Sequence, residues 1–420
     1  MNGDFRLGLS MFAFRAVLRA QSLLGDPAGR VLGRGPNADP YRRYEQVRAG
    51  GELVHSRLGV YLTASHELVN SVLRDGRFGV LEANGTRPTG YETVAVNPIE
   101  ESFLSLDPPT HTRLRRQVAP WFTPRALRDQ AERIETVAHR NLDELAGRDR
   151  FDLIGDFAVR VPIQVICELL GVPDAEYPRF VRWGSVLALA LDATWTLSNF
   201  RKLRAVLEEM SAFFTDLVAH RRNHPGDDIV SALAGEEMAV RDLLATVELL
   251  LVAGFETTVN LIGNGVVELL RNDEARAWLL AHPDRAEDLV EEILRYDSPV
   301  QFTMRIAHEP VTLAGRTLPR NTNVVLLLAG ANRDPAVFEH PARFDPLRAN
   351  NREHVAFSAG IHYCLGAGLA RIEAAVALRV LFERYPDLRA AGPAQRRRSR
   401  NLRGVKVLPV RGKASTLRSA

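Results

Sequence analysis

Apolar residues recur at spacings of three and four along most of the chain, the period of a helix that turns one face to a core. Residues 110–118 open such a segment directly after Asp107-Pro108-Pro109, a proline-led start that suits a first helical turn. The period continues over 125–145 and 156–170. From 239 to 272 no proline interrupts it, which predicts a helix of ~30 residues and ~45 Å. Residues 284–295 predict another helix, stopped at Asp297-Ser298-Pro299, and 365–384 predict the last. Elsewhere the pattern shortens. Residues 311–318 and 323–328 predict strands around turn signals at Gly315 and Pro319, and 51–62 predict a hairpin. Residues 85–105 predict a long mobile loop. The expectation is a mostly α fold with a smaller β region built from distant segments, in one domain over 1–420.

Composition changes this picture little. The 420 residues are 46% apolar and 25% charged, an ordinary balance with ample material for a core. A net charge of +3 is too mild to argue for a nucleic-acid partner. No apolar run reaches the ~18–20 residues of a membrane span. Near the N-terminus the apolar residues are broken by Arg6, Arg15 and Arg19, so residues 1–38 read as a peripheral extension. Its helix is expected to pack on its own domain rather than on a membrane surface. The basic run Arg396-Arg397-Arg398-Ser399-Arg400 reads as a solvated loop. Two cysteines, Cys167 and Cys364, cannot form a disulfide framework, which points to a reducing cytoplasm.

Cys364 nevertheless sits in unusual company. It precedes a predicted helix, so it reads as an N-cap, where unpaired N–H groups and the helix dipole favour a thiolate. Gly360 permits a tight turn before it. Gly366 and Gly368 remove side chains after it, leaving room for a flat, bulky ligand. Phe357 is placed to shield the sulfur, and His362 offers a polar tip on the same loop. A zinc site would need more ligands than His354, His362 and Cys364. A nucleophilic cysteine would need a base and an acceptor site. Gly366-Ala-Gly368-Leu-Ala-Arg371 fails as a dinucleotide fingerprint, because the third glycine and a preceding strand are missing. An inert buried thiol would leave the glycines and the aromatic unexplained.

Phe357-Ser-Ala-Gly360-Ile-His362-Tyr-Cys364-Leu-Gly366 resembles the haem-thiolate signature of the cytochrome P450 family, Phe-x-x-Gly-x-His-x-Cys-x-Gly, at every fixed position. Ser358 departs from the glycine usual after the phenylalanine. Ala253-Gly254-Phe255-Glu256-Thr257-Thr258, on the long helix, resembles the family's oxygen-binding bend. Glu292-Ile-Leu-Arg295 resembles its Glu-x-x-Arg pair, with Arg343 as the downstream arginine; these three are expected to be structural. The resemblance covers about residues 40–410. It implies the family's prism-like helical fold, with the long central helix over a haem b whose iron is held by Cys364. By the same resemblance Glu256 and Thr257 are catalytic, the acid relaying protons and the hydroxyl hydrogen-bonding dioxygen. His111, Arg115, Arg305 and His362 would hold the haem propionates, with Ala253, Phe357 and Gly366 also against the cofactor.

A haem-thiolate monooxygenase is therefore expected, inserting one atom of O2 into an apolar organic substrate by hydroxylation or epoxidation. No flavin or iron–sulfur segment follows the last helix, so a separate ferredoxin and its NAD(P)H-dependent reductase are expected to supply electrons. Arg113 and Arg116 are candidates for a basic docking face, with ordinary solvation as the competing reading. Leu249, Val252, Ala253, Val300 and Phe302 are expected to line the substrate pocket, with 85–105 as its lid. A monomer is expected. Two other readings stay open: a peroxide-driven haem-thiolate enzyme, and a haem-binding sensor without turnover.

Overall fold

The computed structural model describes residues 3–33, 39–86, 97–128, 130–187 and 196–415. The predicted long helix runs from Val240 to Arg271 through the middle of the molecule. Most of its side chains are buried on every face, which is why its pattern is nearly continuous rather than striped. It is long and apolar enough to cross a membrane, yet 83% of its most apolar window is buried inside the protein, as expected of a core helix. Asn272 ends it and starts the next helix at once, its side chain accepting from the Ala275 N–H at 3.0 Å. Around the central helix pack Arg160–Leu170, Leu197–Asn223, Ala286–Tyr296 and Ala367–Arg384. Gln130–Asp143 packs in turn on Ala367–Arg384.

Several predicted helices are shortened by tighter or wider turns. Residues 125–145 divide into Pro124–Leu127, capped by Thr123, and Gln130–Asp143. Ile154–Ala158 is a wide π-type turn before Arg160–Leu170. Pro283–Arg285 is a 3-10 turn before Ala286–Tyr296.

The β region joins the two ends of the sequence. Val54–His55 and Val60–Thr63 form the predicted hairpin. Val60–Thr63 pairs in parallel with Asn323–Leu326. That strand pairs antiparallel with Thr303–Ala307, which the sequence reading missed, and Phe78–Gly79 closes the sheet. Arg305, on the missed strand, thereby enters the interior. Val311–Leu313 and Arg316–Leu318 form a separate hairpin whose turn residues Ala314 and Gly315 both have positive φ. Near the N-terminus Asp26 caps Pro27–Leu32 and also accepts from Ser56 and the Arg57 N–H. Ala28 and Val31 join Tyr41, Tyr44 and Leu62 in one cluster. Of the loop predicted over 85–105, residues 87–96 lie outside the described residues. The rest includes a 3-10 turn at Phe103–Ser105, with Phe103 in the main core.

Candidate functional site

The cysteine loop is shaped by two backbone positions that few side chains tolerate. Gly360 has φ +66, and a Cβ there would lie 2.2 Å from the Leu73 carbonyl oxygen, so only glycine fits. Ser358 has φ +62, the left-handed region in which a side chain costs about 1 kcal/mol or more. The family's usual glycine would sit there without strain, which explains physically what the sequence left unexplained. The Ser358 hydroxyl is buried and finds no hydrogen-bond partner. The Cys364 N–H donates to the Phe357 carbonyl at 2.9 Å, closing the loop on itself.

Cys364 is not an N-cap. The helix begins at Ala367, and Gly366 takes the cap position. The Gly366 N–H still donates to the sulfur. The sulfur is open to solvent-sized space although protein surrounds it closely. Burial therefore raises the thiol pKa, opposed by the Gly366 N–H and by the charges of Arg115 and Arg371. The expected depression of the thiol pKa is thus absent, because desolvation outweighs the helix end. The two nearby glycines have different jobs. A Cβ at Gly366 would meet nothing within 4 Å, whereas one at Gly368 would meet Leu127 Cδ1 at 2.8 Å. Gly366 leaves open space, and Gly368 allows close helix packing.

Behind the loop stands a cluster absent from the sequence reading. Arg371 donates to Glu291 and to the Tyr363 hydroxyl, and its guanidinium lies 4.6 Å from the centre of the Phe357 ring. His354 Nε2 lies 3.1 Å from Glu291. Burial works to raise the Glu291 pKa, but the hydrogen bonds and charges of His354 and Arg371 hold it at about 2. The signal available in the sequence was the position of Arg371, two turns into the cysteine-side helix.

On the other side of the loop the four predicted cations come together. His111 is 2% exposed, and its ring centre lies 4.5 Å from that of His362. Arg115 donates to the Tyr363 carbonyl. Arg305 is 4% exposed and donates to the Met304 carbonyl at 2.9 Å. One acid answers them, Asp107, at 3.9 Å from His362 Nε2. Asp107 is already engaged by the Val80 and Leu81 N–H groups at 3.0 Å. Burial, with the charges of His362 and Arg115, pushes the His111 pKa down to about 4. Burial likewise pushes Arg305 down to about 10, partly offset by Asp107. Both ring nitrogens of His111, and His362 Nε2, lack hydrogen-bond partners. Buried donors and positive charge without partners cost free energy unless an anion meets them. This set fits a ligand with carboxylate groups, such as the two propionates of a haem, with the thiol and the open space at Gly366 beside it.

The central helix is buried except along a short stripe. Gly254 is exposed, and Ala253 and Thr257 keep part of their surface. Leu249 and Val252 are 3% and 2% exposed and belong to the main core, so they do not share that open stripe. Thr257 Oγ1 donates to the Ala253 carbonyl at 2.7 Å. The Glu256 carboxylate turns to Arg397 instead, Nε to Oε1 at 2.7 Å without the alignment of a hydrogen bond. Burial raises its pKa to about 7, against the pull of Arg397 and Asn260. The basic run is therefore not a solvated loop. Arg397 answers Glu256, and Arg396 reaches Asp297 at 3.3 Å. Of the other predicted pocket residues, Phe302 packs on the Tyr41–Tyr44 cluster, while Val300 bridges to Leu402 and packs on the cluster beneath the sheet.

Glu292 and Arg295 form a bidentate pair at 2.7 and 2.8 Å, both 0% exposed. The third arginine is not Arg343. Its side chain is exposed and only its carbonyl accepts from Arg295. Arg348 takes the place, with Nε 3.5 Å from Glu292 Oε2. Arg295 also donates to the Asn332 carbonyl, and the Asn332 side chain accepts the Val355 N–H at 2.7 Å. The pair is thus wired to the start of the cysteine loop.

These features recur in known proteins. The family model described as "Cytochrome P450" matches residues 58–388. A putative cytochrome P450 140 of Mycobacterium tuberculosis is 39% identical, covering 98% of this chain and 95% of its own length. The 6-deoxyerythronolide B hydroxylase of Saccharopolyspora erythraea is 36% identical, over 89% of this chain and 96% of its own. A solved structure of P450BioI with a fatty-acid-ligated acyl carrier protein superposes with a TM-score of 0.83 at 32% identity, covering 89% of this chain and 99% of that one.

Proposed function

The chain belongs to the cytochrome P450 family, and on that premise we propose that it hydroxylates or epoxidises an apolar organic substrate with electrons from a separate ferredoxin and its NAD(P)H-dependent reductase. One oxygen atom of O2 enters the substrate. The other leaves as water, which takes up two electrons and two protons from outside. Haem b, the family's cofactor, supplies the oxidative chemistry when bound. The chain's own residues bind, orient and move protons. Cys364 is the metal ligand, and His111, Arg115, Arg305 and His362 hold the propionates. Phe357 and the Arg371 guanidinium over its ring brace the cysteine loop.

Proton handling falls to Glu256 and Thr257. A pKa of about 7 lets Glu256 both hold and release a proton near neutral pH, as a general acid must. Its ion pair with Arg397 has to open for the carboxyl to turn toward Thr257. The Thr257 hydroxyl, which donates to Ala253, keeps its acceptor capacity for a proton-bearing partner on the open stripe. The apolar residues around that stripe, and a named relative that hydroxylates 6-deoxyerythronolide B, support an apolar substrate. For electron entry, Arg113 is engaged with Asp242 at 2.7 Å. Arg116, Ile361 and Tyr363 are exposed beside the cysteine loop and are the better candidates for a ferredoxin contact.

The observation that carries this reading is the group of buried, unpartnered donors of His111 and His362 next to a loop-held thiol. The test is the reduced carbon monoxide spectrum. The wild type should show the long-wavelength band of thiolate ligation, and Cys364→His should lose it. A retained band in that variant would overturn the assignment.

A further inference from the structure

The N-terminal helix Gly3–Leu23 is apolar on two faces. Met11, Leu18 and Ser22 turn inward and are at most 8% exposed. The opposite side carries Leu9, Phe12, Ala13, Ala16, Ala20 and Leu23, at the three- and four-residue spacing of one helical stripe. Phe12 is 69% exposed and Leu23 80%. The stripe is ~21 Å long at the helical rise, and among the described residues nothing covers it. Large apolar side chains gathered on one exposed face mark a binding surface rather than scatter.

The charge around the stripe says what it would bind. Arg15 and Arg19 are exposed along one flank, and residues 8–25 contain no Asp or Glu. Gly8 lies against Leu197, where even a methyl group would meet Cδ2 at 3.3 Å. That contact sets the stripe beside the helix Leu197–Asn223, whose exposed Arg201 and Lys202 extend the basic rim. A second copy docking through the same stripe would set Arg15 and Arg19 against their own equivalents, with no acid on the helix to answer them. A bilayer with anionic headgroups answers both features at once. Phenylalanine and leucine enter the acyl boundary while arginines stay at the phosphates.

We propose that the stripe Leu9–Phe12–Ala16–Leu23, with Arg15 and Arg19, docks this protein peripherally on an anionic lipid surface. The helix lies in the interface plane, because its inner face is already spent on the protein's own core. An apolar substrate dissolved in the bilayer would then be concentrated near the enzyme.

The haem-loaded full chain is floated with vesicles of phosphatidylglycerol and phosphatidylcholine in equal parts, and with pure phosphatidylcholine vesicles. It should float with the first and stay behind with the second, and added salt should release it. Arg15→Gln with Arg19→Gln should weaken binding by roughly 30-fold, about 1 kcal/mol per arginine. Phe12→Asp with Leu23→Asp should abolish flotation while leaving the carbon monoxide spectrum and helical circular dichroism unchanged. The proposal is overturned by no flotation of the wild type, or by flotation that survives Phe12→Asp with Leu23→Asp. It is equally overturned if sedimentation shows a dimer that those substitutions split, since the stripe would then be a contact between copies. None of these outcomes depends on the monooxygenase reading.

Discussion

Two buried charge clusters stand on opposite sides of the cysteine loop, and they are built on opposite rules. In the first, every charge has an answer. Glu292 holds Arg295 in a bidentate pair with Arg348 beside it, and Asp297 is shared among Tyr41, Arg396 and Arg403. In the second, His111, Arg115, Arg305 and His362 face a single acid that backbone N–H groups already occupy. A satisfied cluster holds a fold together, because removing one member strands the other in low dielectric. An unsatisfied cluster weakens the bare fold and is retained for what it binds. Burial alone does not separate structural from functional charge; the balance of partners does.

The largest effect should come from breaking the satisfied cluster. Arg295→Ala leaves Glu292 buried without its main partner and cuts the contact to Asn332, so a loss of about 3–5 kcal/mol is expected. Urea titration of the purified variant, or its failure to accumulate as folded protein, measures this. A loss under about 1 kcal/mol would erase the distinction between the clusters. Arg305→Ala should behave in the opposite way. The haem-free chain should lose no more than about 1 kcal/mol, since a buried cation with little compensation is removed. Haem retention should fall by about tenfold or more, as a charge-assisted contact to a propionate disappears. Haem transfer to apomyoglobin reads the second effect and urea titration the first.

The carboxylates of the two regions should also give opposite pH slopes. Glu291 is held at about 2, so the stability it contributes is present above 4.5 and is lost as pH falls toward 2. Glu256 is raised to about 7, so its contribution is present below 4.5 and is lost as pH rises to 7. Glu256→Gln should therefore flatten the decline in melting temperature between pH 4.5 and 7 and leave the acid limb in place. An unchanged decline would show that Glu256 does not titrate there. The smallest effect is at Ser358. Ser358→Gly relieves a left-handed serine with an unpaired hydroxyl, at the cost of glycine's extra unfolded-state freedom, for a net gain of about 0.5–1 kcal/mol. A lowered melting temperature would mean that the serine makes a contact worth more than its strain.

The helical frame was legible because it depends on local period and on proline and glycine punctuation. The cysteine loop was legible for a similar reason: its constraints lie within ten residues. What the sequence hid was pairing over distance. Arg348 and Arg343 sit in the same short stretch, and only the turn between them decides which guanidinium reaches Glu292. The run at 396–400 looked solvated because its acids, Glu256 and Asp297, lie more than a hundred residues away or nearly so. Leu249 and Val252 looked like pocket residues because a helix buried on all sides has no polar face from which to read direction. Cys364 was placed two residues too close to its helix, an ordinary displacement of a predicted end. The strand Thr303–Ala307 was missed because Arg305 interrupts its apolar pattern, and that interruption is the residue with a charge to offer a ligand.

The parallel pairing of Val60–Thr63 with Asn323–Leu326 sets a timetable for biosynthesis. At ~5–20 residues per second, the first strand leaves the ribosome on the order of tens of seconds before its partner. Throughout that interval its apolar edge is open to wrong neighbours. The same delay separates His111 from Cys364, so a nascent chain acquires half of its anion cradle long before the thiol. Slower synthesis in the cold, or a chaperone that shields the early hairpin, should therefore raise the yield of haem-loaded protein more than added haem does.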